Sequence, residues 1–205
     1  MHIAVFGATG ATGRQVVEQA LKAGHGVSVL ARDPGRLAIT DDHLRIVAGS
    51  IGQQEAVDET VRDQDAAISA LGTNEKGPVS VCTEGARAIL AAMNRHGVRR
   101  LLAVSAHGAA DSHDQSLYAL AVWLMLAPKM RDKEGMEALI RATDLDWTIV
   151  RPPALTNGSR NGTYRAGMDL KIRLTSKVSR ADLADFLLRE AAAGTFIRQT
   201  PKVVT

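Results

Sequence analysis

The chain has a single cysteine, Cys82, among 205 residues. An internal disulfide is therefore excluded, and a reducing compartment is the simple reading. Cys82 falls on a predicted helix, where a buried, inert thiol is expected. Aromatic residues make up only 3% of the chain, which argues against a stacking surface for single-stranded nucleic acid. A basic stripe is missing too. The 25 Lys and Arg are scattered and the net charge is +3, so nucleic acid is not an expected partner. Residues 117–127 are apolar but too short to cross a bilayer, which takes about 20 residues, and no membrane partner is expected. The first apolar run starts at Ile3 and leaves no room for a signal peptide, so the expected location is cytoplasmic. No metal, internal repeat or interdomain linker is expected. What remains is a 45% hydrophobic, largely aliphatic chain, of a length that suits one α/β domain spanning residues 1–205.

Residues 3–14, IAVFGATGATGR, organise that domain. The apolar run reads as a strand buried on both faces, the glycines as a tight turn, and the residues after them as the start of a helix. Gly7 and Gly10 lack the Cβ that would obstruct a bulky ligand, and Gly13 lets the helix pack closely on the strand. Helix-start N–H groups have no internal partners and suit a pyrophosphate. The expected cradle comprises Gly7, Thr9, Gly10, Ala11, Thr12, Gly13 and Arg14.

The rest of the chain repeats the strand–helix alternation. Helices are expected over residues 14–23, 53–62, 80–96, 117–126, 129–142 and 179–193. Strands are expected over 27–31, 44–50, 66–71, 101–106 and 146–150, with short strands at 171–174 and 202–204 and loops at 74–78, 109–116 and 157–167. The end of the second strand meets the adenosine ribose in a dinucleotide fold. An acidic residue there selects NAD, and an arginine accommodates the 2′-phosphate of NADP. This chain has Arg32, with Arg36 four residues on and Arg14 as a third candidate. Guanidinium binds phosphate through two parallel hydrogen bonds. NADP(H) is therefore the expected cofactor. Ser50 and Ile51 are expected beside the adenine, and Leu71 and Gly72 near the middle of the cofactor.

FGATGATG resembles the cofactor loop of atypical short-chain dehydrogenase/reductases, in the NAD(P)H-binding group with biliverdin-IXβ/flavin reductases and NmrA-like proteins. Residues 29–32 (VLAR), 148–152 (TIVRP) and 178–184 (VSRADLA) resemble further elements of that group. The resemblance implies a doubly wound parallel sheet, a Rossmann fold, in strand order 3-2-1-4-5-6. It also implies a substrate cleft formed by residues 107–130 and 152–180, with Pro152 at the cofactor.

The usual Tyr-x-x-x-Lys pair falls on Lys129 and Lys133, so a lysine replaces the tyrosine. Lys133 can still hold the nicotinamide ribose. The group's serine at the end of the fifth strand falls at or beside Ser105, with Ala106 as the other match, and its histidine position is Ala154. Ser105, Lys129 and Lys133 are thus the catalytic candidates, and Ser105 and Lys133 also count among cofactor contacts. A cytoplasmic NADPH-dependent reductase is the expected function, passing hydride to a small planar conjugated acceptor such as a flavin or quinone. Two alternatives stay open: an NmrA-like dinucleotide sensor without turnover, and a ketoreductase or epimerase. A monomer or weak homodimer is expected.

Overall fold

The computed structural model describes residues 1–73, 77, 79–113 and 117–205. Most of the expected 74–78 loop and residues 114–116 lie outside these. Six parallel strands form the central sheet: β1 (His2–Phe6), β2 (Gly26–Ala31), β3 (Leu44–Ala48), β4 (Ala66–Ser69), β5 (Arg100–Val104) and β6 (Asp146–Val150). Their order is β3-β2-β1-β4-β5-β6, the predicted one. Helices α1 (Ala11–Lys22) and α5 (Arg180–Ala193) cover one face. Helices α2 (Gln54–Val61), α3 (Val81–His96) and α4 (Leu117–Arg141) cover the other.

The alternation along each strand explains the two layers. In β1, Ile3 and Val5 pack towards α1 and α5, whereas Ala4 and Phe6 pack towards α2 and α3. Both sets are buried, which is why the strand reads as a continuous apolar run. In β5, Leu102 and Val104 join the first layer, and Leu101 and Ala103 the second.

Several boundaries differ from the sequence reading. β3, β4 and β5 stop at Ala48, Ser69 and Val104, two residues short of expectation, because the chain turns out of the sheet at the edge where a cleft opens. The two apolar helices expected over 117–142 run together as α4, broken at Leu126 (φ −130°, ψ 19°) ahead of Pro128. A proline inside a helix removes one hydrogen bond and clashes with the carbonyl four residues back.

No strand forms at 171–174. Three short strands the sequence did not announce appear instead: β7 (Ala154–Thr156), β8 (Arg165–Gly167) and β9 (Lys177–Ser179). β7 pairs with β9, and the expected last strand, β10 (Lys202–Val204), pairs antiparallel with β8 rather than extending the main sheet. Residues 199–201 cover the free edge of β6, where Ile149 N–H donates to Gln199 O and Arg151 N–H to Pro201 O.

Candidate active site

The cleft lies where principle places it in an open α/β sheet, beyond the C-terminal ends of the strands. Its volume is about 680 Å³. Of the residues expected to hold cofactor, Gly7, Thr9, Gly10, Arg32, Arg36, Ser50, Ile51, Leu71 and Gly72 line it. Thr73, in the same turn as Gly72, lines it as well, and so do Leu30, Gly49, Ala70 and Val81, which were not foreseen. Gly49 has a readable cause: a Cβ there would stand 2.6 Å from Ala56 Cβ, so glycine lets α2 close against the sheet.

The three loop glycines divide their work. Gly7 has φ +82°, and a Cβ on it would meet Ala70 O at 2.6 Å. A Cβ on Gly13 would sit 2.1 Å from Gly7 O. Both therefore serve the close packing of loop, β4 and α1, so Gly7 is corrected from a ligand-clearing role to a packing one. Gly10 has ordinary backbone angles (φ −79°, ψ 160°) and caps α1 without a side chain. The first intrahelical bond comes from Arg14 N–H to Gly10 O, so the N–H groups of Ala11, Thr12 and Gly13 have no intrahelical acceptor. No acidic side chain lies in the first turn. Such a terminus is suited to a pyrophosphate, through both its donors and its dipole.

The arginines also separate. Arg32 and Arg36 are exposed, and among the described residues their guanidinium groups make no hydrogen bond or ion pair. Asp33 forms no ion pair with Arg32; its carboxylate caps the turn after it, accepting from Gly35 N–H at 3.1 Å. Arg14 donates to Leu37 O and lies 4.0 Å from Glu18. It fastens the segment that carries Arg36 and does not line the cleft.

Behind the cleft, Lys133 Nζ donates to Leu71 O at 3.0 Å and Val104 O at 2.6 Å. It ties the ends of β4 and β5 together, and with three donors it keeps one to offer. Lys129 is half-buried and has no hydrogen-bond or ion-pair partner among the described residues. Pro152 is buried and its carbonyl accepts from His107 N–H at 2.9 Å.

Ser105 is not brought to this group. It is buried, and its hydroxyl donates to Glu137 Oε1 at 2.6 Å. Glu137 is fully buried and holds Arg151 through both carboxylate oxygens, at 3.0 and 2.5 Å, and Arg151 reaches Asp111 at 2.5 Å. The network joins β5, β6, α4 and the short turn Ala110–Ser112. The cause is register: two residues beyond Ala103, Ser105 takes the face that α3 and α4 cover. The next residue, Ala106, is half-buried and offers no hydroxyl. Cys82 is buried as expected, and burial pushes its thiol pKa up.

The cradle thus fits a nicotinamide dinucleotide: a glycine approach at Gly10, a helix N-terminus without a side-chain cap, and two guanidinium groups with no ion-pair partner among the described residues. Among the described residues no helix is long and apolar enough to cross a membrane, and no group of three or more His, Cys, Asp or Glu could hold a metal.

Comparison with known proteins agrees with this geometry. A (4-alkanoyl-5-oxo-2,5-dihydrofuran-3-yl)methyl phosphate reductase from Streptomyces griseus is 33% identical over 150 residues, covering 73% of this chain and 46% of that protein. A ceramide reductase from Caulobacter vibrioides is 31% identical over 75% of this chain and 46% of its own. The chain spans about half the length of these two relatives. Among solved structures, ChuY, an anaerobillin reductase from Escherichia coli O157:H7, superposes with a TM-score of 0.82 at 21% identity, covering 100% of this chain and 97% of that one. That likeness speaks for the fold alone. The family model described as NAD(P)H-binding matches residues 7–193, and the chain belongs to that family.

Proposed function

We propose that this chain is an NADPH-dependent reductase that delivers hydride to a planar conjugated acceptor such as a flavin or quinone. The observation that carries the reading is the pair of unpaired guanidinium groups, Arg32 and Arg36, in the cleft at the end of β2. Two cations without an ion-pair partner among the described residues suit the 2′-phosphate that separates NADP from NAD. The uncapped start of α1 supports the pyrophosphate, and the remaining donor of Lys133 supports the nicotinamide ribose. The reductase names of two relatives support the reaction class.

When bound, the reduced nicotinamide supplies the hydride; the protein supplies position and a dry wall. Ser105 has committed its proton to Glu137, and Ala106 beside it has none to give. A conjugated acceptor tolerates this, because it delocalises the incoming charge and takes its proton from water. A ketone needs a positioned acid, and Lys129 is then the group in question. The acceptor is a small molecule, and the protein works in the cytoplasm as a monomer or weak homodimer.

The test is steady-state oxidation of NADPH with panels of flavins, quinones and ketones. Turnover with flavins or quinones is expected. Turnover confined to ketones, and lost on Lys129→Ala with NADPH binding intact, would reverse the assignment. A protein that binds NADPH tightly and oxidises it with no acceptor would be a dinucleotide sensor, a reading the missing acid at the end of β5 also supports.

A further inference from the structure

The two arginines of the cleft are held by different means. Arg32 directly follows β2, and Ala31, the last residue of that strand, accepts from Gly49 N–H at 3.0 Å. The sheet therefore places Arg32. Arg36 stands outside the sheet, in the short turn Pro34–Arg36. A turn of three residues closes few bonds of its own. Here they are Arg36 N–H to Asp33 O at 3.2 Å and Leu37 N–H to Pro34 O at 3.1 Å. The chain then takes φ +48° at Ala38, a left-handed conformation that is unfavourable for a residue with a Cβ.

Three ties hold this turn in place. Asp33 caps its start through Gly35 N–H. The Leu37 side chain is fully buried in the core layer beneath α1. Arg14, the fourth residue of α1, donates from its guanidinium to Leu37 O. Arg14 has one ion-pair neighbour, Glu18, at 4.0 Å with both side chains partly exposed, a pairing that contributes little. The bond to Leu37 O is thus its main engagement. It joins the helix whose start suits the pyrophosphate to the turn that presents Arg36, and Arg14 itself does not line the cleft.

We propose that Arg14 is a positioning residue for cofactor choice. It holds Leu37 O, fixes the turn that carries Arg36, and so adds to the preference for a 2′-phosphate that it does not touch. The proposal rests on the NADPH reading of Arg32 and Arg36. Loss of the tie lets the turn move and costs NADP⁺ part of what Arg36 contributes. NAD⁺ lacks that phosphate and loses nothing.

Calorimetric titration of the full chain with NADP⁺ and NAD⁺ tests this, with circular dichroism reporting the fold of each variant. Arg14→Ala should weaken NADP⁺ by about fivefold, the scale of one hydrogen bond, and leave NAD⁺ unchanged. Arg14→Lys keeps a donor on a long stem and should restore much of the difference. Arg14→Met keeps the stem without the donor and stands in for the alanine variant if that does not fold. In an Arg36→Ala background, Arg14→Ala should have no further effect on NADP⁺, because the two changes act through one contact. Equal losses for NADP⁺ and NAD⁺ overturn the proposal, since Arg14 would then serve the pyrophosphate. A loss that persists in the Arg36→Ala background overturns it too, as does a native preference for NADP⁺ that Arg14→Ala and Arg14→Met leave untouched. Equal affinity of the native protein for the two dinucleotides is a different failure: it rejects the NADPH reading itself, and this proposal with it.

Discussion

Gly10 and Gly13 are three residues apart and answer to different constraints. A side chain on Gly10 meets only Gly7 O, at 3.2 Å, whereas one on Gly13 meets it at 2.1 Å with backbone on either side. Gly10→Val should therefore fold, by circular dichroism, and lose NADPH binding in a direct titration. Gly13→Ala should lose stability, by a few kcal/mol as for an overpacked core, measured by urea unfolding. Normal NADPH affinity in a folded Gly10→Val protein would reduce the loop to a turn. Ser105 is the complementary case. Its hydroxyl serves the buried carboxylate of Glu137, so Ser105→Ala should cost about 1–3 kcal/mol of stability and lower kcat by no more than about tenfold. A thousandfold loss of kcat at unchanged NADPH affinity would return the serine to catalysis. The strand alternation held this orientation in plain view: Leu101, Ala103 and Ser105 share a face. Glu137 was harder to read. It sits four residues after Lys133 on the same helix, and its partner Arg151 is distant in sequence.

At the scale of elements, the join between α3 and α4 decides how the cleft's back wall is held. Asp132 is buried on α4, and its carboxylate accepts from Cys82 N–H and Thr83 N–H, each at 2.9 Å. A negative charge at the start of α3 also suits that helix's dipole. Burial alone would raise the Asp132 pKa; the hydrogen bonds from Cys82 and Thr83 outweigh it, and the pKa lies below the ordinary carboxylate value. A depressed folded pKa gives stability that is complete above the unfolded value, near 3.9, and is lost as pH falls through the folded one. Asp132→Asn should thus cost about 1–3 kcal/mol at neutral pH, and the cost should shrink in strong acid. Urea unfolding at pH 7 and below pH 3 checks both; a cost independent of pH would show that the charge contributes nothing. Periodicity reveals α3 and α4 themselves but not this tie, because an acidic residue on a helix reads first as solvated. The short strands β7, β8 and β9 were illegible for a simpler reason. Three residues carry no period, and their partners lie 23 to 39 positions away, as Ala154 with Lys177 and Arg165 with Val204 show.

For the whole molecule, the order of the sheet was legible because four of its six strands, β1, β3, β4 and β5, are each followed by a helix, and right-handed crossovers leave few ways to wind that pattern. The cleft follows from the winding, and its occupant acts back on the fold. A ligand that binds only the folded state adds about 2.7 kcal/mol of stability at a hundred times its Kd. A chain of this length gains about 2–4 °C in Tm for each kcal/mol. NADP⁺ should therefore raise Tm by several degrees, and NAD⁺ at the same concentration by less, because only NADP⁺ carries the 2′-phosphate that we propose Arg32 and Arg36 bind. Arg32→Ala removes a charged hydrogen bond worth about 1.5–3 kcal/mol from NADP⁺ and almost nothing from NAD⁺. Its effect in a thermal melt should be to draw the two shifts together, chiefly by lowering the larger. Gly10→Val should abolish both. Equal shifts in the native protein would reject the preference for NADP(H) while leaving the dinucleotide cleft intact, and no shift with either cofactor at saturating concentration would reject the cleft itself.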